Sequence, residues 1–145
     1  MPDDQAVDLP LPGLPGLLGI RFRHVGDGPN PDIEATLLVR KDMLNPAGTI
    51  HAGTVVALAD TACGYGCLAS LPEGKTGFTT LELKSNHLGT AFDGETVTAL
   101  ATAAHRGGST QFWDAKVTAK SAESDTPRTI AIFRCTQYLL GPARR

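Results

Sequence analysis

Cysteine is sparse in this chain: Cys63, Cys67 and Cys135 are the only three in 145 residues. An odd, scattered set is not a disulfide framework and fits a reducing compartment. Excess charge of one sign is also lacking. Thirteen Lys and Arg face fifteen Asp and Glu, a net charge of −2, so nothing draws the chain to nucleic acid or to an anionic membrane surface. No apolar run reads as long enough to span a bilayer. The start, Met1-Pro2-Asp3-Asp4, is acidic where a signal peptide is basic, and a cytoplasmic location is expected. Internal repeats, interdomain linkers, a phosphate loop, a serine nucleophile elbow and a dinucleotide fingerprint are all missing. The histidines at 24, 51, 87 and 105 have no ligand spacing. Cys63 and Cys67 share a helical face but would need two further ligands to hold zinc, so they read as buried inert thiols. Neither a metal nor a cofactor is expected. A single Arg106-Gly107-Gly108 without interleaved aromatics carries no RNA signal.

What the chain does have is a core. Hydrophobic residues make up 41% and charged residues 19%, the balance of one globular domain. Residues 1–13, rich in Pro and acidic residues, read as a flexible lead-in. The domain is expected over 14–140, with 141–145 as a tail. Leu14–Ile20 suits a short helical turn, because Gly16 and Gly19 oppose a longer one. Ile33–Arg40 alternates as a strand, with Ile33, Ala35, Leu37 and Val39 on one face. Later come Phe78–Leu88, Glu95–His105, Gln111–Lys120 and Thr129–Leu140. In the first of these, Leu81 and Leu83 are expected opposite Thr80, Glu82 and Lys84. In Gln111–Lys120, Trp113, Ala115, Val117 and Ala119 are expected inward. The short turns imply antiparallel pairing of successive strands.

The stretch that organises the rest is Asn45–Ala69, NPAGTIHAGTVVALADTACGYGCLA. A Pro/Gly turn opens it. Gly53–Leu68 then suits a helix that is apolar on nearly every side, and such a helix is a buried one. The expected architecture is therefore α+β, with an antiparallel sheet of five to six strands curled around one long central helix. Gly64 and Gly66 would admit close backbone approach. Yet Asp60 sits in this helix, and an unpaired carboxylate in a core is costly. It is either held by structural hydrogen bonds or kept for chemistry, and its neighbours favour chemistry. Asn45 offers an amide and His51 an imidazole. Ala52 and Gly53 offer backbone N–H groups at a helix N-terminus, which suit a developing oxyanion. Asp60 lies eight residues beyond Ala52, ~12 Å along a helix. One helix cannot bring both to one atom, whereas two antiparallel copies can. The working site is thus expected across a homodimer interface.

Asn45-Pro46-x-Gly48-Thr49-Ile50-His51-x-Gly53, followed by Leu58-Ala59-Asp60-Thr61-Ala62, resembles the hotdog-fold acyl-CoA thioesterases, most of all the phenylacetate-pathway and human-thioesterase-superfamily type. The resemblance covers roughly residues 14–140. It implies an acyl-CoA substrate, hydrolysed to free coenzyme A and a carboxylic acid, with an aromatic or a short to medium acyl chain. It implies Asp60 as nucleophile or general base and the Ala52 N–H on the thioester carbonyl. His51 and Asn45 would orient the site, and Thr80 would position water. Asp60 and Thr80 of one subunit would meet Asn45, His51 and the helix start of the other, and dimers would pair into tetramers. Gly53 and Thr61 fall to substrate binding by their place in the motif. Arg106 and Ser109 do so near the turn where the family holds the nucleotide and pantetheine end of coenzyme A; a solvated hairpin turn is the other reading. Asn86 could reach the substrate channel or satisfy strand-end backbone. One position departs from the family: its His-Gly-Gly is His51-Ala52-Gly53 here, which keeps the amide and adds a methyl. A hotdog dehydratase or hydratase, or a dimeric acyl-CoA-binding protein without catalysis, are the alternatives.

Overall fold

The computed structural model describes residues 10–142. The lead-in expected at 1–13 lies outside the described residues up to position 9, as does 143–145 of the tail. Within 10–13, Leu11 already packs into the core. The elements run α1 (Leu14–Leu17), β1 (Arg21–Val25), β2 (Asp32–Leu38), α2 (Ala52–Ala69), β3 (Gly77–His87), β4 (Thr96–Arg106), β5 (Thr110–Lys120) and β6 (Arg128–Leu140), with a 3-10 turn at Lys41–Met43. All strands form one antiparallel sheet in the order β1-β2-β4-β5-β6-β3.

Alternation sets the inner face. Ile33, Ala35, Leu37 and Val39 are buried, as are Trp113, Ala115, Val117 and Ala119, matching the side each was expected to occupy. Against this face lies α2. It starts at His51, whose ring accepts a hydrogen bond from the Gly53 N–H. It ends at Ser70, whose hydroxyl folds back onto the Gly66 carbonyl at 2.8 Å, and Pro72 follows. Two glycines let the sheet come close. A Cβ on Gly66 would stand 2.5 Å from two ring carbons of Trp113, and one on Gly64 would stand 2.9 Å from the ring tip of Phe78. By length and composition α2 could cross a bilayer, contrary to the reading from the sequence. Its packing into the sheet marks it as a core helix instead.

Four expectations need correction. The short strand β1, Arg-Phe-Arg-His-Val, was not expected and pairs only β2; its apolar content, Phe22 and Val25, was too thin to register. Successive strands do not all pair. The chain leaves β3 through residues 88–95 and crosses over, so that β3 pairs with β6, the last strand. A bulge between Thr80 and Glu82 also reassigns the faces. Thr80 pairs with buried Gln137 and Leu83 with buried Cys135, so both face α2, while Glu82 and Lys84 face outward beside Thr136 and Arg134. Finally, the sheet does not enclose α2. Ala52, Gly53 and Leu68 are exposed, and Val56, Ala57, Asp60 and Thr61 are half-buried.

Candidate active site

The uncovered side of α2 carries two clusters. The first is at its start. Asn45 shapes the turn that delivers the helix. Its Oδ1 accepts from the N–H groups of Ala47 (3.0 Å) and Thr49 (3.2 Å), and its Nδ2 donates to the Thr49 hydroxyl (2.9 Å). Gly48, with φ +88°, closes that turn, a conformation that glycine takes without strain. His51 follows as the helix cap. Its Nδ1 accepts from the Gly53 N–H at 2.8 Å, so on the neutral ring the proton sits on Nε2, pointing a donor away from the cap. This bond consumes one of the two amides expected to be free. The Ala52 N–H has no partner among the described residues, and it stands exposed at the positive end of the helix.

The second cluster lies two turns on. Asp60 is half-buried on α2, and the Thr80 hydroxyl of β3 stands 3.4 Å from its Oδ1. Burial pushes the Asp60 carboxyl above its ordinary value, with the Thr80 hydroxyl pulling weakly the other way. A carboxylate held above its usual range is a better base near neutrality. The Thr80 hydroxyl also donates to Gln137 Oε1 of β6 at 2.7 Å. Gln137 and its cross-strand neighbour Gln111 are both fully buried. Gln111 accepts from the Trp113 Nε1–H at 2.7 Å and donates to the Ser70 carbonyl at 3.2 Å. Neither glutamine was picked out from the sequence. The signal was there: each occupies an inward position in a strand whose other inward residues are nearly all apolar.

The remaining candidates do not join either cluster. Thr61 turns its hydroxyl back to the Ala57 carbonyl at 2.6 Å. Asn86 lies on the outer face of the sheet, in a hollow of about 560 Å³ that it shares with Lys84, Leu100 and Arg134. Arg106 ends β4, its guanidinium over the Trp113 ring at 5.4 Å, and donates to the Asn30 carbonyl. Ser109, in the following turn, accepts from the Leu139 N–H through its carbonyl. The thiols are out of use: a hydrogen bond with the free Cys135 thiol, together with burial, raises Cys63 well above the ordinary thiol value, and burial pushes Cys67 up to about 11. Among the described residues no group of His, Cys, Asp and Glu converges to hold a metal.

Known proteins share this design. Residues 47–124, which hold the end of the turn, α2, β3, β4 and β5, match the thioesterase superfamily. The chain is 35% identical to a 1,4-dihydroxy-2-naphthoyl-CoA hydrolase of Listeria monocytogenes, over 86% of this chain and 93% of that one. Among solved structures it is similar to the Escherichia coli PaaI protein of the phenylacetic acid degradation operon, with a TM-score of 0.72 and 27% identity over 88% of this chain and 83% of the other. It is also similar to a Haemophilus influenzae thioesterase, with a TM-score of 0.69 and 31% identity over 86% and 80% of the two chains. The family match and these likenesses in sequence and backbone bear out what the sequence motif implied: the chain belongs to the thioesterase superfamily and has its hotdog fold.

Proposed function

We propose that the protein hydrolyses acyl-CoA thioesters with Asp60 as the working carboxylate. The observation that carries this is the pair of half-sites on the open side of α2: a half-buried Asp60 against Thr80, and an unpartnered Ala52 amide at the helix start. The thioester carbonyl oxygen accepts from the Ala52 N–H, joined by the Nε2–H of His51. Asp60 takes a proton from water as the water oxygen adds to the carbonyl carbon, or adds to that carbon itself to form a mixed anhydride that water then hydrolyses, supplying the proton taken up by the thiolate. The C–S bond breaks, coenzyme A leaves as the thiol, and a carboxylic acid is released. Relatives named for 1,4-dihydroxy-2-naphthoyl-CoA favour an aromatic acyl group.

The two half-sites are ~12 Å apart along one helix, so the complete site needs two protomers. Support comes from β3. It is an edge strand of 11 residues, with Leu81 62% and Leu83 42% exposed. Long edges of this kind are normally covered or charged. A second β3 paired there would lay the two α2 helices side by side. A further contact, giving a dimer of dimers, is supported by the outer face of the sheet, where Leu100, Phe112, Ile132 and Tyr138 are exposed.

The test is thiol release from phenylacetyl-, benzoyl-, 1,4-dihydroxy-2-naphthoyl-, hexanoyl- and acetyl-CoA. The wild type should release thiol and Asp60→Asn should lose on the order of 10³ in turnover. Full activity in Asp60→Asn would remove the mechanism. Co-expressed Asp60→Asn and His51→Ala chains should recover activity that neither has alone, because a mixed dimer contains one intact site. No recovery would place the whole site within one chain.

A further inference from the structure

Thr80 has one hydroxyl proton and two possible acceptors. Gln137 Oε1 is 2.7 Å away and Asp60 Oδ1 is 3.4 Å away. The first is a short hydrogen bond and the second lies at the limit of one. The hydroxyl hydrogen therefore points chiefly at Gln137, which leaves Asp60 only a long, weak contact and turns the Thr80 lone pairs to the space beside it. Gln137 is suited to enforce this. It is fully buried, fixed by its register opposite Thr80 on β3 and Gln111 on β5, and its own Nε2 has no partner among the described residues. Such an orphan donor is expensive in a core, and an apolar residue of the same shape would avoid it.

We infer that Gln137 is a positioning residue for the hydrolytic water: by accepting the Thr80 hydroxyl's hydrogen bond it presents Thr80 as an acceptor. A water in the site then donates one hydrogen bond to Asp60 and the other to Thr80, which turns a lone pair towards the thioester carbonyl for attack. As that lone pair forms the C–O bond, one O–H bond breaks and its proton passes to Asp60. Without Gln137 the Thr80 hydroxyl turns to the nearest anion, Asp60, and stabilises its charged form. Asp60 becomes a weaker base, and the water loses its second acceptor.

Among the described residues of the chain no charged side chain competes for Asp60. From its own helix comes the Cys63 thiol, and from β6 the Cys135 thiol hydrogen-bonded to it. The acidic and basic groups of β3 nearest Thr80, Glu82 and Lys84, face the other side of the sheet. The inner faces of β2, β4 and β5 are apolar apart from Gln111. In the assembled dimer His51 of the second copy completes the surroundings.

This inference rests on Asp60 being the working carboxylate, and the experiment separates the two. The pH dependence of kcat/KM and of kcat for benzoyl-CoA is measured for wild type, Gln137→Met, Gln137→Leu, Thr80→Val, the Thr80→Val/Gln137→Met pair and Asp60→Asn. Both Gln137 replacements should lower kcat about tenfold, leave KM within about twofold, and move the acid limb of kcat/KM down by about one pH unit. In the Thr80→Val background Gln137→Met should change nothing further. A limb that stays in place or moves up, or losses that add across the pair, would show Gln137 to be structural and overturn the proposal. The two replacements differ in size, so a packing defect would separate them, whereas loss of the amide affects both alike. Full turnover by Asp60→Asn removes the catalytic reading itself. An inactive Asp60→Asn beside unaffected Gln137 variants removes only the role of Gln137.

Discussion

Gly66→Ala tests how tightly the sheet grips the helix. Two terms oppose each other. Alanine is the better helix former by about 1 kcal/mol. Its methyl, however, would stand 2.5 Å from Cη2 and Cζ3 of Trp113 and 3.1 Å from Cε3, roughly an ångström inside ordinary contact. Trp113 has nowhere to go. It is fully buried, its N–H is tied to Gln111 at 2.7 Å, and the Arg106 guanidinium lies over its ring. Overpacking of this kind costs about 3 kcal/mol, so the net loss is about 2 kcal/mol. For a domain of this size that is a fall in Tm of about 6–8 °C. Gly64→Ala is the internal control. Its methyl would meet only the ring tip of Phe78 closely, at 2.9 Å, with the next carbons at 3.8 Å. Phe78 is half-buried and free to yield, so the helix-propensity gain should leave Tm within about 2 °C of wild type. Thermal unfolding of the three proteins at one concentration decides the matter. A Gly66→Ala protein as stable as wild type, or less affected than Gly64→Ala, would refute the argument that Trp113 is held in place.

Asp60→Asn should raise stability at neutral pH while abolishing turnover. Burial raises the folded-state pKa of Asp60, so the folded state prefers the neutral carboxyl. That preference helps folding below the unfolded value and is lost as pH rises through the folded value. The advantage of Asn should therefore be full at pH 8 and shrink as pH falls through the folded pKa; a pH-independent difference in Tm would contradict this. His51→Ala removes a helix cap as well as a site residue, so Tm should drop by about 3–4 °C, the equivalent of about 1 kcal/mol. Serine at 51 should return most of that stability without the activity, and a failure to do so would show that the cap is not what His51 contributes to stability.

Much of this was legible in the residues. The expected helix, Gly53–Leu68, differs from α2 by one residue at each end, because the Pro/Gly turn and Ser70-Leu71-Pro72 punctuate it. The face of β5 followed from strict alternation. Three failures share a cause, which is that pairing is a tertiary decision. Nothing local tells β3 to skip β4 and join β6. The bulge at Thr80/Glu82 adds one residue to one strand, and a period-2 reading then assigns Thr80 to the wrong face. An apolar helix also looks the same whether a sheet or a second protein covers its last side. At the site, the turn and helix start could be located from the motif. Which amide remained free could not, because the use of the Gly53 N–H depends on the His51 rotamer. Gln137 was overlooked because a polar residue in an otherwise alternating strand is easily taken for its exposed face.

The place of β3 has a consequence for how the protein is made. Thr80 follows Asp60 by only 20 residues, yet what fixes it beside the helix is β6, with Gln137 a further 57 residues on. As the chain emerges from the ribosome, helix and β3 come out early and must wait, with no neighbour for the strand to join. The corner between Asp60 and Thr80 closes only when the last strand has been delivered and laid between β5 and β3. Contacts so distant in sequence form slowly, and a chain released before β6 would carry two open strand edges that invite aggregation. An incomplete copy of this enzyme would thus lack the proposed site, since the strand that completes its sheet is also the one that sets the Thr80 hydroxyl beside Asp60.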